Sequence, residues 1–358
     1  MASPVAEPLV VQSHAGPYRV DFADDPLPSF DDTTGGAYLV VDARVARLHA
    51  DVLTPLLESH PTLRVEAAET AKSLEQFPGY VQALVAGGIR RGDVIVAVGG
   101  GIVQDIACFL AATLLRGLEW RFVPTTLLAQ ADSCIGSKSS INVGELKNAL
   151  GTFTPPTHVH VWPVYLETLE ERELRSGIGE MLKVHAIEGP ESFDRIARDH
   201  GRLLENADVM RGYVRASLEI KRRIVEEDEF DRGPRNVMNY GHSFGHAIES
   251  ATRFGIPHGI AITIGMDMAN FVSMRLGPGT AETYERMHPV LTANAAGHKE
   301  VAIDPGAVVE AIGKDKKNVG SDLRLVLPDE HGRIGVVRRP NDEPFRAACE
   351  EYLRDARP

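Results

Sequence analysis

The sequence is poor in cysteine and in positive charge, and it lacks long apolar runs. Its three cysteines (Cys108, Cys134 and Cys349) are too few and too irregularly spaced for a disulfide framework, so they favour a reducing compartment. Lysine and arginine total 38 against 50 acidic residues, and the net charge of −12 argues against a nucleic-acid partner or an anionic membrane surface. No apolar run is long enough to span a bilayer, and no signal segment opens the chain. We therefore expect a cytoplasmic protein that binds neither membranes nor nucleic acid.

Two basic clusters stand out against this acidic background, at Lys221-Arg222-Arg223 and at Lys314-Asp315-Lys316-Lys317. The ordinary interpretation of such clusters is a solvated helix face. An acidic enzyme can also use a local basic pocket to bind an anionic substrate, so both interpretations stay open.

The chain is long enough for two domains, and its pattern changes near Pro163. Before that point β-rich runs alternate with helical stretches, which predicts a parallel sheet with helices on its faces. The predicted strands are 37–41, 63–65, 93–98, 121–123 and 158–162. Helical patterns dominate afterwards, beginning with 166–175 and 179–187. We predict an α/β N-terminal domain over residues 1–164 and a mainly α-helical C-terminal domain over residues 165–358.

A glycine run, Gly99-Gly100-Gly101, follows the buried strand DVIVAV and precedes an apolar helix that contains Asp105. Such a turn lets backbone N–H groups approach a pyrophosphate at a helix N-terminus. Asp42 ends the first of the predicted strands, where an acid can accept hydrogen bonds from ribose hydroxyls. The run is not a GxGxxG fingerprint, so a plain strand–helix turn is the alternative for the glycines, and a helix cap for the acids.

Residues 235–259 read RNVMNYGHSFGHAIESATRFGIPHG and contain three histidines. His242 and His246 are four residues apart, so on a helix both rings project from one face. His258 lies in a Pro-His-Gly turn before the next apolar helix and can supply a third imidazole to a divalent metal such as zinc. The alternative is that the rings merely pack together.

Several long motifs occur in one order, and together they resemble the 3-dehydroquinate synthases and their sugar phosphate cyclase relatives. They are GGGIVQD, RGLEWRFVPTTLLAQADSCIGSK, KNALGTF, GEMLKVHAI and RNVMNYGHSFGHAIE. The resemblance runs from about Glu69 to Lys317. It implies an NAD-binding α/β domain, a helical metal-binding domain and an active site in the cleft between them.

The resemblance also implies roles for single residues. The metal ligands would be Glu180, His242 and His258, which leave one coordination position open, as a catalytic zinc or cobalt ion requires; His246 would then contact phosphate. The implied catalytic residues are Asp132, Lys138, Lys183, Asn239 and His246. The implied substrate contacts are Arg116, Asn148, Lys221, Arg235, Lys316 and Lys317. The implied NAD contacts are Asp42, Glu69, Lys72, Gly99, Gly100, Gly101, Asp105, Thr125, Thr126 and Lys147.

Within this set, Arg116, Lys138, Asn148 and His246 match phosphate contacts, and Lys221 and Arg235 match the pair that grips a substrate carboxylate. The arginine matching Arg116 can come from a partner subunit, so a homodimer is implied. The implied reaction belongs to the shikimate pathway of aromatic amino acid biosynthesis and is that of a lyase. It converts 3-deoxy-D-arabino-heptulosonate 7-phosphate to 3-dehydroquinate through transient oxidation by NAD, phosphate elimination, reduction and aldol closure.

The chain departs from the family pattern at several positions. It has Gly136-Ser137-Lys138-Ser139-Ser140 where GGKT(G/A) is common, Gln104 where glycine is usual, and Gly179 where alanine is common. A paralogous cyclase of secondary metabolism is therefore a second interpretation, with sedoheptulose 7-phosphate or a hexose phosphate, which have no carboxylate, as its substrate. Lys221 and Arg235 favour the keto acid over these. The sequence also leaves open an NAD- and metal-dependent alcohol dehydrogenase and a catalytically silent binding protein.

Overall fold

A computed structural model describes residues 7–28, 35–314 and 322–357 of the protein. The chain divides into two compact units, each with its own core. Unit 1 contains Met1–Leu169 and Arg222–Phe230, and unit 2 contains Glu170–Lys221 and Asp231–Pro358. The domain boundary predicted at residues 164 and 165 falls within a 3-10 segment, Pro163–Thr168, near the end of the first part of unit 1.

Unit 1 contains a seven-stranded sheet in the order β1-β2-β9-β6-β5-β3-β4, in which only β1 and β2 are antiparallel neighbours. A separate antiparallel hairpin joins β7 to β8. The strands are β1 (Leu9–Val11), β2 (Tyr18–Phe22), β3 (Ala37–Asp42), β4 (Thr62–Val65), β5 (Val94–Gly99), β6 (Glu119–Pro124), β7 (Ile141–Val143), β8 (Leu146–Leu150) and β9 (His158–Val161). The predicted α/β domain with a parallel sheet is thereby confirmed.

The central strands β3 and β5 are buried without alternation, as expected of strands in a parallel sheet that is covered on both faces. Strand β5 is buried along its whole length. The helices of unit 1 are α1 (Ala43–Leu48), α2 (Ala50–Ser59), α3 (Phe77–Ala86) and α4 (Gly101–Thr113). Pro78 lies in the first turn of α3, where its missing N–H leaves no helical hydrogen bond unmade.

Unit 2 is mainly helical, as predicted. Its helices are α5 (Glu171–Glu188), α6 (Pro190–Leu203), α7 (Ala207–Glu227, whose last six residues belong to unit 1), α8 (His242–Ala251), α9 (His258–Leu276), α10 (Ala281–Ala295), α11 (Pro305–Gly313) and α12 (Glu343–Glu351). An antiparallel hairpin joins β10 (Asp322–Pro328) to β11 (Ile334–Pro340). Among the described residues, no helix is long and apolar enough to cross a membrane.

The prediction of separate helices at 166–175 and 179–187 is wrong. Leu169 and Glu170 are extended, and Glu170 caps α5 through a reciprocal pair of hydrogen bonds with Glu173, so the helix begins at Glu171. From there α5 continues unbroken through Gly177 and Gly179 to Glu188.

Gly179 has a packing role inside α5. A Cβ atom at Gly179 would overlap the carbonyl oxygen of Gly259, and one at Gly259 would overlap the carbonyl oxygen of Ser176. The Ser176 hydroxyl also accepts a hydrogen bond from the amide of Gly259 at 2.9 Å. Helices α5 and α9 therefore cross with their backbones in contact, which requires residues without side chains.

Candidate metal centre and nucleotide-binding turn

Predicted NAD contacts lie at the carboxyl ends of three adjacent parallel strands of unit 1. Asp42 ends β3, Gly99 ends β5, and Thr125 follows β6. The amide of Thr125 donates to the carbonyl oxygen of Gly99 at 3.0 Å, which ties two of these ends together. In parallel α/β sheets this edge is where ligands bind.

The glycine turn leaves room at the N-terminus of α4. A Cβ atom at Gly99 would lie 2.6 Å from the side chain of Val103, and one at Gly100 would lie 2.8 Å from Cγ2 of Thr126. A methyl group at Gly101, in contrast, would meet no described atom within 4 Å. The first turn of α4 carries no acidic side chain, so its free amides and the helix dipole favour an anion such as a pyrophosphate.

Asp42 caps α1 in this structure. Its Oδ1 accepts a hydrogen bond from the amide of Arg44 at 2.8 Å. Burial raises the pKa of Asp42 above its usual value, and the hydrogen bonds from the backbone work against this. The interpretation of Asp42 as a helix cap therefore describes its present contact.

A buried ion pair joins the predicted cofactor residues Lys72 and Asp105. Lys72 Nζ lies 3.1 Å from Asp105 Oδ2, 3.1 Å from Asn148 Oδ1 and 3.6 Å from Glu69 Oε1. Burial raises the pKa of Asp105 to about 6, although the charge of Lys72 opposes the shift. Asp105 also accepts a hydrogen bond from the amide of Ser140 at 2.9 Å. Asn148, predicted to contact phosphate, thus lies in one cluster with predicted NAD contacts.

Other predicted residues of unit 1 differ in exposure. Lys138, Lys147 and Arg116 are exposed, whereas Asp132 is buried in a π-helical turn, Ala129–Ser133. The backbone at Arg116 has φ of 73° and that at the preceding Leu115 has φ of 52°. Two consecutive non-glycine residues with positive φ have a strained backbone, and such strain is often found at functional sites.

In unit 2 the three metal ligands implied by the family resemblance lie together. Glu180 is in the middle of α5, while His242 and His258 are the first residues of α8 and α9. Glu180 Oε1 lies 3.8 Å from Nε2 of His242 and 3.4 Å from Nε2 of His258. Lys183, one turn further along α5, places Nζ 2.5 Å from the other Glu180 oxygen.

The electrostatics of this cluster fit a divalent cation. Glu180 is 2% exposed, and neither carboxylate oxygen makes a hydrogen bond of good geometry with any described residue. Burial opposes ionisation of Glu180, but the charge of Lys183 and the adjacent His258 outweigh it and hold the pKa of Glu180 well below its usual range. Burial and the nearby Lys183 hold the pKa of His242 well below its usual value, so its ring is neutral. One carboxylate and two imidazoles are a common donor set for catalytic zinc.

His246 also belongs to this cluster. The possible ligand atoms of His242, His246 and His258 all lie within 4.8 Å of one another. The ring of His246 is stacked on that of His258, with centroids 5.7 Å apart, and its side chain is exposed. The distances alone allow two donor sets: three imidazoles, as the histidine spacing indicates, or two imidazoles with Glu180, as the family resemblance implies.

Glu249 is a residue of the site that the sequence reasoning missed. Its two carboxylate oxygens lie 3.2 and 3.3 Å from Nδ1 of His258. Burial alone would lower the pKa of His258, but the carboxylates of Glu180 and Glu249 beside its two ring nitrogens raise it to about 10. A carboxylate on Nδ1 leaves Nε2 as the ligand nitrogen. The sequence offers one signal for this contact, which is the position of Glu249 on the helix. Glu249 follows His242 by two helical turns and His246 by three residues, so it lies on the same helical face.

The remaining predicted residues of unit 2 are cationic or polar. Lys221 and Arg235 are 6% and 8% exposed, which is unusual for these residue types. Asn239 ends the 3-10 helix Pro234–Asn239 and donates to the carbonyl oxygen of Asn236 at 3.1 Å. Lys316 and Lys317 lie outside the described residues.

Sequence comparison identifies the family. A profile described as 3-dehydroquinate synthase N-terminal matches residues 62–176, and one described as 3-dehydroquinate synthase C-terminal matches residues 177–318. The chain belongs to the 3-dehydroquinate synthase family. Within the family, the 3-dehydroquinate synthase of Streptococcus sanguinis (strain SK36) is 36% identical over 324 residues, covering 88% of this chain and 89% of that relative.

Two solved structures share the fold of this chain. The 2-epi-5-epi-valiolone synthase from Streptomyces hygroscopicus subsp. jinggangensis 5008, solved with NAD+ and Zn2+ bound, has a TM-score of 0.80 at 27% identity and covers 92% of this chain and 95% of its own. A 2-deoxy-scyllo-inosose synthase complexed with carbaglucose-6-phosphate, NAD+ and Co2+ has a TM-score of 0.82 at 22% identity, covering 96% and 99%. At that identity the second comparison shows the shared fold.

Proposed function

We propose that the protein is a 3-dehydroquinate synthase, which converts 3-deoxy-D-arabino-heptulosonate 7-phosphate to 3-dehydroquinate with NAD and a divalent metal, zinc or cobalt. The observation that carries the proposal is that unit 2 of this family member has both a candidate metal cluster and two buried cations. Unit 2 contains the buried cluster of Glu180 with His242 and His258, and it also buries two cations, Lys221 and Arg235. A metal and a substrate carboxylate would use these groups.

Cofactor binding would use the glycine turn of unit 1 and the metal cluster of unit 2. The amides at the start of α4 would bind the NAD pyrophosphate, and Glu180, His242 and His258 would bind the metal. When bound, NAD takes up and returns a hydride while the metal polarises the hydroxyl that is oxidised. Lys183, whose ammonium group lies 2.5 Å from Glu180, would keep that carboxylate ionised beside the reacting hydroxyl.

Substrate binding would depend on cations and hydrogen-bond donors of this chain. Lys221 and Arg235 would hold the carboxylate, and an arginine can do so with two parallel hydrogen bonds. Lys138, Asn148 and His246 would hold the phosphate group until it leaves as inorganic phosphate. Asp132 and Asn239 would orient the substrate hydroxyls. Because the hydride returns to the carbon chain, the cycle has no net redox change.

We also propose an enzyme class, an oligomeric state and a compartment for the protein. The enzyme class is that of a carbon–oxygen lyase, because a C–O bond to phosphate breaks by elimination. The working form is a homodimer in which Arg116 serves the partner's phosphate site. The compartment is the cytoplasm, since Cys108, Cys134 and Cys349, all within the described residues, form no disulfide and suit a reducing environment.

A substrate comparison tests the proposal. Purified protein with NAD and zinc is given the keto-acid phosphate and sedoheptulose 7-phosphate separately, and phosphate release and the carbocyclic product are measured. We expect release from the keto acid alone. Release from sedoheptulose 7-phosphate alone would instead identify a paralogous cyclase, and net NADH accumulation with simple alcohols would identify a dehydrogenase. Lys221→Gln should lose the keto-acid activity, whereas the exposed Lys299→Gln should keep it.

The metal ligands can be tested independently of the substrate. His258→Ala should lose both bound metal and activity, whereas His246→Ala should lose activity and keep the metal. Metal content is measured by elemental analysis after gel filtration. Equal metal loss in both variants would favour the three-imidazole donor set.

A further inference from the structure

Gln104 lies one helical turn after the glycine turn, and its buried side chain makes two hydrogen bonds to a single residue. Its Nε2 donates to the carbonyl oxygen of Ser133 at 2.7 Å, and its Oε1 accepts from the Ser133 hydroxyl at 2.5 Å. The amide of Gln104 donates to the carbonyl oxygen of Gly100 at 3.0 Å. Gln104 thus connects the glycine turn directly with Ser133.

Ser133 is the last residue of the π-helical turn that carries Asp132. In this turn the amide of Cys134 donates to the carbonyl oxygen of Ala129 at 3.1 Å, a spacing of five residues. Isolated π turns are rare and concentrate at functional sites. Two side-chain bonds at the end of such a turn therefore restrain the direction in which Asp132 points.

The next residue of α4 holds the other end of the loop that follows. Asp105 Oδ1 accepts from the amide of Ser140 at 2.9 Å, so Gln104 and Asp105 hold residues 133 and 140 from one helix turn. The loop between them contains Lys138. The family resemblance places glycine at position 104, and glycine has no side chain that could make either bond to Ser133. The contact is therefore tied to this chain's departure from the pattern.

We propose that Gln104 is a positioning residue that holds Ser133, and through it Asp132, in a fixed relation to the nucleotide-binding helix. The role assigned to Asp132 rests on the proposed function, whereas the Gln104–Ser133 contact itself does not. Gln104→Met is the informative variant, because it keeps the length of the side chain and removes both hydrogen-bonding groups. Thr113→Ala is the matched control, since it removes a side-chain bond of 2.7 Å to the carbonyl oxygen of Phe109 at the far end of α4.

Two measurements are made on the full-length protein with NAD and metal. For Gln104→Met we expect kcat/KM for the sugar phosphate to fall about tenfold, the order expected from losing two hydrogen bonds. Affinity for NAD should change by less than about twofold, because the glycine-turn amides are untouched. Ser133→Ala should have its own smaller effect, and it should add nothing in the Gln104→Met background. Thr113→Ala should match the wild type.

Amide hydrogen exchange supplies a readout that needs no activity. Exchange at residues 131–134 should quicken in Gln104→Met, while strand β6 stays protected. If the wild type releases no phosphate from any sugar phosphate, the proposed function fails, and exchange still tests the contact. Unchanged kcat/KM together with unchanged exchange in Gln104→Met would overturn the proposal. So would fully additive effects of the two substitutions, or equal losses of NAD affinity and kcat/KM.

Discussion

Removing the carboxylate of Glu249 should weaken metal binding without removing any proposed ligand. Both Glu249 oxygens lie within 3.3 Å of Nδ1 of His258, whereas Glu180 approaches the other ring nitrogen, Nε2. The side chain of Glu249 is 11% exposed, so little water competes for this contact. Outer contacts of this kind typically change metal affinity 10- to 100-fold, which corresponds to about 1.4–2.7 kcal/mol. We expect a loss in that range for Glu249→Ala.

Glu249→Gln separates charge from hydrogen bonding. Its amide oxygen can still accept from Nδ1–H of His258, so the ring keeps its tautomer and loses only the nearby negative charge. We expect a loss of about tenfold or less for this variant. The matched control is Glu282→Ala, which removes an exposed glutamate of unit 2 from the first turn of α10.

The assay is competition with a chromophoric chelator for zinc, repeated with cobalt, whose absorption reports coordination. Thermal unfolding in excess chelator shows whether the apoprotein is intact. If Glu249→Ala binds metal as tightly as Glu282→Ala while His258→Ala does not bind it, then Glu249 does not orient the ligand and the reasoning is refuted.

Three further changes test other parts of the structure. Burial lowers the pKa of His185 from 6.5 to about 4. The unfolded chain therefore takes up this proton first, and the free energy of unfolding falls by about 2 kcal/mol as the pH drops from 7.5 to 5. The variant His185→Gln can still bond Ser192, and its urea unfolding should show a shallower pH dependence. Gly101→Ala should leave the melting temperature unchanged but weaken NAD binding at least about tenfold. The reason is that the added methyl group meets no described atom, yet it occupies the N-terminus of α4. Unchanged NAD affinity in a fluorescence titration would contradict the pyrophosphate site. Gly179→Ala should lower the free energy of unfolding by about 1–3 kcal/mol and should also lower zinc affinity, because its Cβ atom would overlap the Gly259 carbonyl. Equal unfolding free energy and equal zinc affinity in variant and wild type would show that the contact between α5 and α9 tolerates a methyl group.

Local patterns predicted the sheet because buried parallel strands are continuous apolar runs between turns. Strand β5 and the glycines after it are of this kind, and both were found where predicted. The break predicted between residues 175 and 179 is absent from α5, although Gly177 and Gly179 are poor helix formers. Gly179 is instead needed for the contact with Gly259, which lies 80 residues further along the chain and leaves no local signal.

The candidate site was only partly within reach of sequence patterns. The spacing of His242 and His246 predicted a shared helical face, and their rings do lie 5.2 Å apart. Nothing in that spacing points to Glu180 on another helix, and only the family resemblance did so. The contacts of Lys72 with Asp105 and Asn148 span 33 and 76 residues, so periodicity could not reveal them. Glu249 was missed because a glutamate at that spacing is equally typical of an ordinary helix.

The backbone contact between α5 and α9 also bears on how the protein would respond to metal supply. The proposed ligands come from three helices, so an ion bound there would be a cross-link between them, and at a hundred times its dissociation constant would stabilise the fold by about 2.7 kcal/mol. The effect is reciprocal. Any change that separates Gly179 from Gly259 would lower the affinity for the ion, and scarcity of the ion would make separation of α5 from α9 easier. Metal starvation would therefore lower the amount of intact protein through proteolysis as well as the activity of each molecule.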